Sequence, residues 1–155
     1  MSVRIHKRAI IRTDMSTSGE VGSMVLLTRL SRLVYKAASE DALGMKLKAY
    51  ATLSALRNGP MPQQELCISM HLDPNNCVLL LNEMEAAGHV RRSRDPADRR
   101  RHIVEITGEG KRAVARSDAA LNEVEGQVLG NLSAEERATL RTLLNRAMAE
   151  EPVAV

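Results

Sequence analysis

At 155 residues and 44% hydrophobic side chains, the chain can bury one domain or two small interlocked ones. It has no Phe or Trp, and Tyr35 and Tyr50 are its only aromatics, so Leu, Val, Ile, Met and Ala must form a mostly helical core. This scarcity disfavours binding of single strands by base stacking, and no apolar run approaches the roughly 18 residues of a membrane span. The formal charge is only +3, but His89 to Arg101 holds six arginines against two aspartates, so that segment carries +4 and the remainder −1. Local positive charge of this kind suits docking on a polyanion such as duplex DNA.

Residues 1–17 read as a loose arm, basic at Arg4, His6, Lys7, Arg8 and Arg12, without the apolar stretch of a signal peptide. Val21, Met24, Val25, Leu27, Leu30, Leu33, Val34 and Ala37 predict a helix from Glu20 to Ser39 with a wide apolar surface. Gly44 interrupts the pattern. Lys46 to Asn58 is a second helix, stopped by Asn58-Gly59-Pro60. A short third helix spans Pro62 to Met70, with Pro62 in its first turn. Asp73 then caps a fourth helix that Pro74 opens and Gly88 ends.

Two helices joined by the tight turn at His71-Leu72 form a helix-turn-helix. Leu66, Leu72, Cys77, Leu80, Leu81 and Met84 close its core, leaving Asn75, Asn76 and Leu79 outward. His89–Arg92 and His102–Ile106 are short strands around the turn Asp95-Pro96-Ala97-Asp98, a hairpin with an arginine-laden tip. Thr107 caps a helix of about twenty residues, in which Val114, Ser117, Leu121, Val124 and Val128 form a coiled-coil-like seam. Ser133-Ala134-Glu135-Glu136 is a capping box opening the last helix, which carries Leu140, Leu143, Leu144 and Ala147 on one face.

The fold class is therefore mainly α with a small β-hairpin wing. Its element order resembles the MarR family of bacterial regulators over roughly residues 20–148. The most specific segment runs from Asp95 to Gly110. Within it Asp98, Arg100, Ile106, Thr107 and Gly110 match the family's wing pattern, and Leu81 to Val90 matches the end of its recognition helix. The resemblance implies a homodimer, with dimerisation helices in 18–43 and 107–150 and a winged helix-turn-helix DNA-binding lobe in 44–106. It also implies a recognition helix in the major groove, a wing arginine in the minor groove, and release from DNA by a small, often phenolic, ligand. At Val78 and Leu79 the chain departs from the Thr and Arg that members often carry, so guanine readout by this helix is weakened.

Asn75 and Asn76 stand where a recognition helix meets base edges, and Asn pairs bidentately with adenine; either could instead support the cap. Leu79 can touch thymine methyls. Arg100 is the expected minor-groove contact, oriented by a paired hydrogen bond to Asp98. Arg94, Arg99, Arg101 and His102 are expected on phosphates. Tyr35 and Tyr50 could line an effector pocket, or pack where the first two helices meet.

Two cysteines make no disulfide framework and suit a reducing cytoplasm. Cys67 and Cys77 are read as small buried hydrophobes. Cys67, His71 and Cys77 lack a fourth ligand for a metal. No cofactor is expected, and no nucleophile–base pair, carboxylate pair or phosphate loop marks an enzyme. The leading expectation is a cytoplasmic dimeric transcription regulator, a repressor, that binds double-stranded DNA at a pseudo-palindrome; the alternative is a winged-helix module for protein contacts.

Overall fold

The computed structural model describes residues 21–149. The expected basic arm lies outside them. The elements are α1 (Ser23–Ala37), α2 (Glu40–Leu43), α3 (Leu47–Ala55) with a 3-10 turn Leu56–Asn58, β1 (Met61–Pro62), α4 (Gln63–Ser69), α5 (Pro74–Ala86), β2 (Val90–Arg94), β3 (His102–Ile106), α6 (Gly108–Val128) and α7 (Ala134–Met148). The mainly helical class with a small wing is as expected, and the helix boundaries agree within a few residues.

Three local features depart from the expected elements. Residues 40–43 form a separate short helix, capped by the Ser39 hydroxyl and closed at Gly44, whose φ is 74°. Pro62 is not inside α4: it is that helix's N-cap and ends β1. β1 pairs with β3 (Met61 opposite Val104), so the hairpin is a three-stranded antiparallel sheet of order β1-β3-β2. A two-residue strand carries no alternation to read; it exists because β3 offers a free edge.

The main core gathers Leu53 and Leu56 from α3 and its 3-10 turn, Leu66 from α4, and Cys77, Leu80, Leu81 and Met84 from α5. Val90, Val104 and Ile106 come from the sheet, and Ala113 and Val114 from α6. Period-2 strands and period-3.6 helices thus turn their apolar positions to one centre. A smaller cluster joins Ala38, Leu43 and Val124, with Leu121 and Val128 packed against it. The seam expected on α6 is therefore largely covered within the chain, by α2 and the end of α1. Ser117 at its middle is buried and donates to the Leu43 carbonyl at 2.7 Å.

The expected capping box is present: the Ser133 hydroxyl accepts from the Glu136 amide, and the Glu136 carboxylate accepts from the Ser133 amide. Thr107 caps α6 and does more. Its hydroxyl accepts from the Gly110 amide at 3.0 Å and donates to the Gly88 carbonyl at 2.6 Å, while its own amide donates to the His89 carbonyl. A Cβ on Gly110 would overlap that His89 oxygen and stand 2.9 Å from Ile106 Cγ1. The Thr-x-x-Gly spacing therefore welds the segment after α5 to the start of α6.

Cys67 and Cys77 correct the sequence reading: they are joined in a disulfide, with Cα atoms 5.7 Å apart. Both sit in the shared core of α4 and α5, and that packing brings their Cα atoms within the span a disulfide needs.

Candidate nucleic-acid interface

Asp73 holds the start of α5. Its carboxylate accepts from the Asn76 amide at 3.0 Å and from the Asn76 side chain. These bonds, led by the one from the Asn76 backbone amide, draw the Asp73 carboxyl below its ordinary range. Asn76 is thus tied back to the cap, while Asn75 is exposed beside it. Farther along the outer face Val78 is exposed and Leu79 is 60% exposed.

The base of the wing is braced on α5. Arg92 donates to Glu85 through its side chain and its amide, and to Asn82 Oδ1 at 2.6 Å. Hydrogen bonds from Arg92 lower the Glu85 carboxyl pKa. Arg91 pairs with Glu105 at 2.5 Å across the strands, and Arg101 reaches Glu65 at 3.4 Å.

At the tip the backbone is held by the wing's own polar groups. Asp95 Oδ1 accepts from the Ala97 amide, and Arg94 Nη1 donates to the Arg99 carbonyl at 2.7 Å. Asp98 Oδ1 accepts from the Arg100 amide at 3.0 Å, and its carbonyl accepts from the Arg101 amide. Asp98 therefore shapes the turn through the backbone of Arg100 and does not grip its guanidinium, as the sequence reading had it. Asp98 binds the amide two residues on, an Asx-type turn that a short carboxylate forms readily.

Among the described residues, the guanidiniums of Arg99 and Arg100 are exposed and have no acidic partner. The sequence reading set Arg100 apart and grouped Arg94, Arg99 and Arg101; the structure ties Arg94 to the Arg99 carbonyl and Arg101 to Glu65, and leaves the side chains of Arg99 and Arg100 without an acidic partner among the described residues. Pro74 and Val78 of α5 share one open cleft with Arg100, Arg101 and His102. The start of the recognition helix and the wing thus flank one surface.

The two tyrosines are not brought together. Tyr35 on α1 is exposed. Tyr50 on α3 packs toward α6, where its hydroxyl donates to Asp118 Oδ1 at 2.7 Å and Arg57 Nη2 approaches the same oxygen at 2.5 Å. α1 packs chiefly on α6, and the exposed Tyr35 is not buried at a helix junction. The Arg57 bond, then the Tyr50 bond, hold the Asp118 carboxyl below its ordinary value. Burial first, then the bond to Asp118, raise the Tyr50 hydroxyl. Sequence reasoning missed Asp118 and Arg57, whose separation along the chain hides their meeting.

A helix-turn-helix followed by a hairpin packed on its second helix defines a winged-helix regulator. Residues 43–101 match the family model described as MarR family. A putative transcriptional regulatory protein for the hcr operon of Thauera aromatica is 32% identical over 103 residues, 66% of this chain and 62% of its own length. This chain therefore spans less than two thirds of that relative. The transcriptional regulator HosA of Escherichia coli is 33% identical over 100 residues, covering 64% of this chain and 74% of its own. The crystal structure of the PcaV transcriptional regulator of Streptomyces coelicolor with its natural ligand superimposes with a TM-score of 0.69 at 25% identity, over 81% of this chain and 90% of that one. The chain belongs to the MarR family of transcriptional regulators.

Proposed function

We propose that the protein is a homodimeric repressor that binds a pseudo-palindromic duplex in the cytoplasm, α5 in the major groove and the wing in the adjacent minor groove. The observation carrying this reading is the shared surface of α5 and the wing, with Arg99 and Arg100 unpaired at its edge. Arg100 enters the minor groove, where a narrow A·T-rich segment concentrates negative potential. Arg99 and His102 lie along phosphates, Arg94 and Arg101 join them on leaving the Arg99 carbonyl and Glu65, and Asp98 sets the turn that carries them. Asn75 and Asn76 read adenine edges, and Leu79 meets thymine methyls. Asn76 must leave its bond to Asp73 to do so.

Dimerisation is supported by the apolar surfaces of α1 and α7, which bury no residue within the chain. A small phenolic effector would sit between the lobe and these helices, lined by Tyr50 or by Tyr35, which the fold does not bring together. PcaV, which was solved in complex with its natural ligand, supports a ligand site in this fold.

The test is duplex selection from a random pool, then titration of the selected duplex against salt. Arg100→Ala should lower affinity severalfold and reduce the slope of log K against log salt by about one unit. Unchanged affinity would remove Arg100 from the interface. A chain that retains no duplex from the pool would instead support the protein-interaction reading.

A further inference from the structure

We propose that Cys67 and Cys77 are a reversible thiol–disulfide site, oxidised by hydroperoxides, whose bonded form orders the helix-turn-helix and tightens its hold on DNA; the last clause rests on the DNA-binding reading above. The two sulfurs join the two helices of the motif, α4 through Cys67 and α5 through Cys77. Cys77 follows Asn76 directly, so the bond anchors the start of the recognition helix.

The sulfurs are not equally reachable. Cys77 is 2% exposed, whereas Cys67 is 8% exposed and lines an open cleft of about 490 Å3. Arg100, Arg101 and His102 line the same cleft. Cys67 is therefore the sulfur that meets a reagent, and Cys77 the one that resolves it from inside.

The chemistry closes without a further reactant. The Cys67 thiolate attacks one peroxide oxygen, the O–O bond breaks, and an alcohol or water leaves after protonation; Cys67 becomes a sulfenic acid. Cys77 then attacks the Cys67 sulfur, the S–O bond breaks, and hydroxide leaves as water with the Cys77 proton. Two thiols lose two electrons and the peroxide gains them. A small thiol reverses the bond by exchange.

The bond has most to hold in α4. That helix has seven residues and no side-chain cap at Pro62, and it leads into a turn where His71 takes a φ of 49°. Short helices are marginal by themselves. α5 is longer, capped by Asp73, and keeps Leu80, Leu81 and Met84 in the core without the bond. Reduction should therefore loosen α4 and the 70–73 turn and leave the lobe folded.

The full chain is reduced, then treated with stoichiometric hydrogen peroxide, and three readouts are taken. Alkylation with mass spectrometry should show both thiols protected within one chain. Hydrogen exchange should slow over residues 63–73. The selected duplex should bind about fivefold tighter to the oxidised form, a difference absent from the Cys67→Ala, Cys77→Ala double variant, with circular dichroism confirming that this variant is folded. Thiols still open to alkylation after peroxide, or equal exchange and affinity in both forms, would overturn the proposal. Failure of both forms to hold any duplex overturns the DNA-binding reading instead, and the alkylation and exchange results then decide the thiol site alone.

Discussion

The lobe from α3 to the start of α6 closes on itself, whereas α1 and α7 leave their apolar faces open. In the lobe Leu53, Leu56, Leu66, Leu81 and Val104 are almost wholly buried, each against several other elements. On α1 no residue is buried, and Met24 and Leu33 are 71% and 54% exposed; α7 likewise buries none, with Leu143 and Met148 open. Both helices are apolar enough to need a cover. The difference separates a unit whose apolar side chains are buried within the chain from two helices whose apolar faces the other described residues leave open.

The contrast predicts where substitutions cost stability. Leu81→Ala should cost about 2–5 kcal/mol through lost transfer and a cavity, seen as a lower urea midpoint at any protein concentration. Leu33→Ala should cost under about 0.5 kcal/mol in dilute protein while weakening self-association in sedimentation. Equal, concentration-independent losses at both sites would break the comparison.

A middle-sized effect belongs to the junction between the regions. Thr107→Ala removes the α6 cap and the bond to Gly88, and should cost about 1–2 kcal/mol, measured by denaturant unfolding. Thr107→Ser should restore most of it, because the hydroxyl is what makes both bonds. No rescue would show that the methyl group carries the effect.

The smallest effect is one of pH. Asp118, which joins α6 to Tyr50 and Arg57 of the lobe, has a carboxyl held below its ordinary value of 3.8. A lowered folded value means that its stabilisation is complete above the unfolded value and is lost as pH falls through the folded one. The wild-type chain should therefore lose stability below about pH 4, and Asp118→Asn should lose less over that window while starting lower at neutral pH. Parallel acid profiles of thermal midpoint in the two chains would remove Asp118 from this linkage.

Much of the interface was legible because local rules specify it. Asp73-Pro74 starts α5 through a short carboxylate and a pre-set φ, and Gly88 ends it with a φ of 74°. The wing is marked by strands around turn residues, and Thr107 with Gly110 by a cap and a close approach. The misread features all depend on partners distant in sequence or on geometry. β1 exists only against β3. The seam of α6 is met by Leu43 of α2 as well as by α1. The Cys67–Cys77 bond depends on how closely α4 packs on α5. Asp98 was read as holding the Arg100 guanidinium, whereas turn geometry sets its carboxylate on the Arg100 backbone amide.

The sequence by itself determined the order of the main elements other than α2 and β1, the placement of the helix-turn-helix and wing, and the concentration of positive charge between His89 and Arg101. Periodicity, caps and turn residues act over a few positions, so they can be read in a line. Only the tertiary structure decided which arginines meet Glu65, Glu85 and Glu105, that the cysteines are bonded, and that α1 and α7 are left uncovered by the other described residues. Those outcomes depend on distances between segments far apart in the chain, which packing sets after the local elements have formed.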